Sequence, residues 1–186
     1  MNFLKKLGHI AFSCFLAFRS IELLNQVLNL QPESMDIKKA FWVAFLFCLF
    51  ITGTFAFVGF VFPTYKILPD RYDQIKSPKI LLKIYTLRKV NIFKKALLLA
   101  FWGKKKNRNR YFNGNKSGIK QFIENTKQSE FGHLAAFIAL SSLSILLIYN
   151  EFWLTSIITL FINLIGNFYP VLLQRFHRSR ITKWKT

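Results

Sequence analysis

Glu130 and His133 stand three residues apart in TKQSEFGHL, residues 126–134, a separation that puts both on one face of a helix. In that arrangement the carboxylate can accept the proton on one imidazole nitrogen and leave the other free as a base. Further along, Asn163, Asn167, Gln174 and Arg178 follow at intervals of 4, 7 and 4, so a helix would carry them as one polar stripe. Arg175, Arg178 and Arg180 add three guanidiniums at its end, groups suited to bidentate bonds with phosphate. The chemistry these types suggest is proton transfer beside a bound, phosphate-bearing substrate. Each also has a plainer reading. Arginines at the end of a membrane helix commonly snorkel to the headgroups. Glu130 could simply complement a helix N-terminus, with His133 hydrogen-bonded nearby. His9 and the remaining acidic residues form no comparable cluster, and no cluster with metal-ligand spacing is present.

The elements that must position these residues are membrane helices. A 52% hydrophobic fraction coexists with a net charge of +19 because apolar and basic residues are segregated along the chain. Phe is the conspicuous excess, with 22 residues, which suits lipid-facing and interfacial positions. Residues 41–62 are 22 residues without a charge, enough to cross about 30 Å of hydrocarbon. Residues 132–149 and 152–173 are two further spans, separated by Asn150 and Glu151, and read as an antiparallel hairpin. Residues 7–30 are more polar, with Arg19 and Glu22. They read as a retained first helix rather than a cleaved signal, since no small-x-small cleavage site follows. Pro170 interrupts the last span, freeing a carbonyl beside the polar stripe.

Charge sets the expected topology. Residues 63–130 hold 17 Lys or Arg against 4 acidic residues, and the tail 174–186 holds 5 with no acid. Both are therefore expected on the cytoplasmic side of the cell membrane, together with both termini. Within 63–130, residues 79–106 interleave Ile, Leu, Phe and Trp with Lys and Arg at helical intervals, so they should lie in the bilayer interface. Residues 104–118 read as a solvated basic loop. The expected fold is thus an all-α integral membrane protein, one domain over 1–186, with about four spans and an amphipathic interfacial segment. Cys14 and Cys48 both lie in apolar runs with no disulfide or metal spacing. Nucleic acid is not an expected partner, because the cations lie beside membrane spans.

TKQSEFGH and NFYPVLLQRFHRSRI together resemble the glycosyl-4,4'-diaponeurosporenoate acyltransferase family, small bacterial membrane proteins linked to carotenoid ester synthesis. In that pattern a Thr-Lys and a Glu-x-x-His precede the hairpin, and an Asn, a Pro and a Gln-Arg-Tyr-Asn-Arg-x-Arg run close the last helix. Thr126, Lys127, Glu130 and His133 match it, as do Asn167, Gln174, Arg175, Arg178 and Arg180. Phe176 and His177 stand where the family has Tyr-Asn, and the proline is displaced by one position. The likeness is specific over residues 126–182 and loose over 79–102. It implies transfer of a fatty acyl group from a thioester donor, such as acyl-CoA, to a hydroxyl of a glycosylated carotenoid or related lipid. His133 would then be the base, oriented by Glu130, with Asn167 or Gln174 donating to the developing oxyanion and the three arginines holding donor phosphates. No cofactor beyond the donor is expected, and the sequence sets no oligomeric state. Two rival readings are a non-catalytic scaffold subunit of a lipid-pathway complex and another transfer reaction, such as methyl transfer.

Overall fold

The computed structural model describes residues 2–69, 72, 78–87, 90–97 and 118–182, which are helical with no strand among them. The solvated loop expected at 104–118 and the end of the interfacial segment at 98–106 lie almost wholly outside these residues. The helices are α1 (Phe3–Leu28), α2 (Ile37–Val61), α3 (Pro78–Leu87), α4 (Val90–Leu97), α5 (Ile119–Tyr149), α6 (Trp153–Asn163) and α7 (Tyr169–Thr182). A π-helical segment, Leu164–Phe168, joins α6 to α7 without a break. Four stretches are long and apolar enough to cross a membrane: Phe3–Leu28, Ile37–Val61, Ile119–Tyr149 and Trp153–Ile181. The chain is an all-α membrane protein.

Two of these boundaries differ from those expected. Helix α5 starts at Ile119, ahead of both the apolar run 132–149 and the stretch 126–134 expected to begin the helix, because hydropathy marks where charge stops and not where a helix starts. Its polar first turns bury Phe122, Thr126 and Glu130 at intervals of four, one face of a helix that hydropathy averages away. The last helix likewise runs on to Thr182 rather than ending at 173.

The chain forms two compact units, one of Met1–Thr64 with Gly132–Phe168, the other of Tyr65–Phe131 with Tyr169–Thr186. In the first, α1 packs on α2 and α2 on α6. Asp36 caps α2, its side chain accepting from the Lys39 N–H at 2.9 Å. The core gathers Val27, Phe47, Leu140, Leu147 and Phe152. Small residues permit close helix approach. Ala40 and Ala44 are fully buried on α2, and Gly53 lies so near Leu16 that a Cβ would sit 2.7 Å from its Cδ1. Outside this core, Phe15, Trp42, Ile145, Ile157 and Phe161 are exposed, the inverse of a water-soluble surface and the expected face toward acyl chains.

The α5–α6 turn is held mainly by backbone hydrogen bonds, with the Asn150 Nδ2 donating to the Leu146 carbonyl at 2.9 Å. Glu151 takes a left-handed φ of 66°, and the Phe152 N–H donates to the Leu147 carbonyl at 2.9 Å while Glu151 donates to Ile148 at 3.0 Å. This is a Schellman-type stop, completed by burial of the Phe152 ring. It costs about 1 kcal/mol for a non-glycine residue.

In the second unit, α3 and α4 pack on α7. They bury Tyr85 and Val90 while leaving Ile80, Leu82, Ile84, Ile92, Lys79 and Lys83 exposed, the two-sided character expected of the interfacial segment. Tyr85 stacks on Phe176 with ring centroids 3.9 Å apart.

Candidate functional site

In the first unit a buried amide network surrounds His133. Placing polar side chains in a membrane span is costly unless they are paired, so the partners matter. The Asn163 Nδ2 donates to the Phe137 carbonyl at 3.0 Å and to the Ser141 hydroxyl at 3.3 Å. The Asn167 Nδ2 donates to the Asn163 Oδ1 and to the Thr52 Oγ1, both at 3.0 Å. The Asn167 Oδ1 then faces the His133 Nδ1 at 3.0 Å. Because a carboxamide oxygen only accepts, Nδ1 carries the imidazole proton and Nε2 keeps its lone pair. Both asparagines are almost completely buried, whereas His133 is partly buried.

The local backbone explains why Asn167 can reach three partners at once. It lies within the π-helical segment, just before Pro170. A proline lacks the N–H that an α-helix would use there, and its ring crowds the carbonyl four residues earlier. A wider π turn relieves that conflict. The expected interruption at Pro170 is thus taken up by a change of helix type, with the chain still continuous.

The second unit holds an ionic clasp on Glu130, a residue 1% exposed. One carboxylate oxygen accepts from the Arg175 Nε at 2.6 Å and the Tyr72 hydroxyl at 2.8 Å; the other accepts from the Arg178 Nη2. Arg175 also donates to the Tyr72 carbonyl at 3.3 Å, and its guanidinium lies 4.2 Å from the centre of the Tyr72 ring. Burial, and then the negative charge of Glu130, push the Tyr72 phenol up to about 12. Gln174 donates to the Ser129 hydroxyl at 3.3 Å. Phe122 meets the His177 ring edge-on, and Arg180 is exposed.

Several expected roles change. Glu130 does not supply the acceptor for His133. Charged guanidinium donors outcompete a neutral imidazole N–H for a carboxylate, and both of its oxygens are taken by Arg175, Arg178 and Tyr72. The amide of Asn167 takes its place beside the ring. Asn167 is therefore no oxyanion donor, since its two N–H bonds go to Asn163 and Thr52. Arg175 and Arg178 spend donors on Glu130 rather than standing open for phosphate. Thr52 and Tyr72 were not anticipated. Thr52 had a signal, a hydroxyl inside the uncharged run 41–62; Tyr72 had none. Among the described residues no group of three or more His, Cys, Asp or Glu side chains could hold a metal ion.

No curated protein and no solved structure matches the chain. A family model described as Glycosyl-4,4'-diaponeurosporenoate acyltransferase matches residues 69–185, more than half of the chain and including Glu130, His133, Asn167 and the arginines. The chain belongs to the glycosyl-4,4'-diaponeurosporenoate acyltransferase family and is an acyltransferase.

Proposed function

We propose that this acyltransferase moves a fatty acyl group from a thioester such as acyl-CoA to a sugar hydroxyl of a glycosylated carotenoid, the acceptor named in the family's description, or of a related glycolipid. The observation that carries the reading, beside the family itself, is His133 with its Nδ1 bonded to an amide oxygen and its Nε2 left as a base. A sugar hydroxyl is a weak nucleophile and needs its proton removed as it attacks. In the proposed step, Nε2 takes that proton while the hydroxyl oxygen bonds to the thioester carbonyl carbon. As the tetrahedral intermediate collapses, the carbon–sulfur bond breaks. The departing thiolate receives the proton from His133, which returns the base to its starting state. Asn167 holds the ring and stabilises the imidazolium through its Oδ1, the part a carboxylate or amide plays beside histidine in other acyl-transfer sites. The exposed Arg180 is available for a donor phosphate.

The acceptor's isoprenoid and the fatty chain both partition into lipid, which agrees with a chain of four apolar spans and a two-sided segment at 78–97. The excess of Lys and Arg in 63–130 and in the tail supports a cytoplasmic location for both, in the cell membrane. Mass spectrometry of lipid and pigment extracts from cells with and without the protein tests the reading. A glycolipid heavier by one fatty acyl unit is expected only where the protein is present; identical extracts would sink it.

A further inference from the structure

We infer that Asn163 is a positioning residue that fixes the proton on His133 without touching it. This rests on the reading of His133 as base and names what keeps that base in its working tautomer. The relay starts from an atom whose role cannot change. The Phe137 carbonyl only accepts, so the Asn163 side-chain group facing it at 3.0 Å must be the NH2. That orientation turns the Asn163 Oδ1 toward Asn167, and only an N–H can meet it there, at 3.0 Å. The Asn167 amide is therefore held with its oxygen toward His133, and the ring must present Nδ1–H.

Thr52, the other partner of Asn167, cannot make this choice. A hydroxyl donates or accepts as required, and its Oγ1 lies 3.0 Å from the Asn167 nitrogen and 3.2 Å from the oxygen. Asn163 is thus the partner that sets the amide's direction. The positions fit a relay built on helical spacing: Asn163 and Asn167 are four apart, and so are His133 and Phe137. A backbone carbonyl one turn beyond the base, read through two buried amides, selects which imidazole nitrogen is basic.

The test is 15N NMR of the imidazoles in lipid nanodiscs, where only three histidines contribute, read beside steady-state kinetics. In the native protein His133 should show Nδ1–H with an unprotonated Nε2. Asn163→Leu should give a mixture of tautomers and lower kcat about tenfold with KM for the thioester little changed, a part of the 10²–10⁴-fold that a general base supplies. Asn163→Asp keeps the pattern while its carboxyl is protonated, its O–H replacing the donor to Phe137 and its C=O the acceptor for Asn167; it should retain the native tautomer and rate. Thr52→Val should leave the tautomer unmixed. A native His133 carrying its proton on Nε2 overturns the inference and needs no variant. So does an Asn163→Leu protein with the native signature. Tautomers that respond as stated while acyl transfer ignores them would support the relay and refute His133 as the base.

Discussion

Glu130 offers the sharpest test of the clasp, through Glu130→Gln. The change keeps shape and some hydrogen bonding but removes the carboxylate charge that pairs with both Arg178 and Arg175. The Glu130 and Arg178 side chains are 1% and 6% exposed, so water screens their attraction little. Removing one partner of such a pair costs about 3–5 kcal/mol, mostly because the other charge stays buried. Arg175, with 28% of its side chain exposed, adds at most about 1 kcal/mol after screening. A total near 4 kcal/mol is a large fraction of ordinary domain stability and corresponds to a fall in melting temperature of about 10 °C for a chain of this size. Thermal unfolding in nanodiscs, followed by circular dichroism, would measure it. The double variant Glu130→Gln with Arg178→Met should recover part of the loss, because it removes the buried guanidinium together with its carboxylate. A single variant melting within about 2 °C of the native protein, against the shift expected for this stability range, would refute the clasp as described.

Two further outcomes follow from geometry already given. The Tyr72 phenol, held near 12 against an ordinary 10, should titrate late when phenolate absorbance is followed with pH, as should Tyr85, which burial also raises; replacing Tyr72 by Phe should reduce the amplitude of the late phase by one phenolate. Because the folded value is the raised one, the stability Tyr72 contributes is complete below pH 10 and is lost as pH rises from 10 through 12. Pro170→Ala restores a backbone donor after the π segment, so helicity should be kept or rise while turnover falls, as Asn167 shifts against His133. An unchanged kcat in that variant would show that the π segment does not position Asn167.

The spans were legible in the sequence because apolar runs of about 20 residues leave a chain few alternatives. The start of α5 was not, since Phe122, Thr126 and Glu130 form a buried stripe within a segment whose average is polar. The site was legible along a helix and much less so across helices. Spacing of four brought Asn163 and Asn167 into view together, and they bond directly. Spacing of three put Glu130 and His133 on one face, yet a shared face does not make two residues partners. Glu130 was drawn to charged donors from α7, residues 45 and 48 positions away, and His133 to an amide 34 positions away. Thr52 and Tyr72 enter from separations of 115 and 58 residues, where periodicity carries no information. The arginines were legible as a cluster of charge; that two of them share one buried carboxylate depended on Glu130, which spacing had assigned elsewhere.

The central claim is that His133 is the base for acyl transfer, and turnover by purified protein in nanodiscs tests it most directly. With an acyl thioester and a glycosylated carotenoid supplied, His133→Ala should lower kcat by about 10²–10⁴-fold while the protein stays folded in the membrane. Turnover at the native rate by His133→Ala would contradict the account.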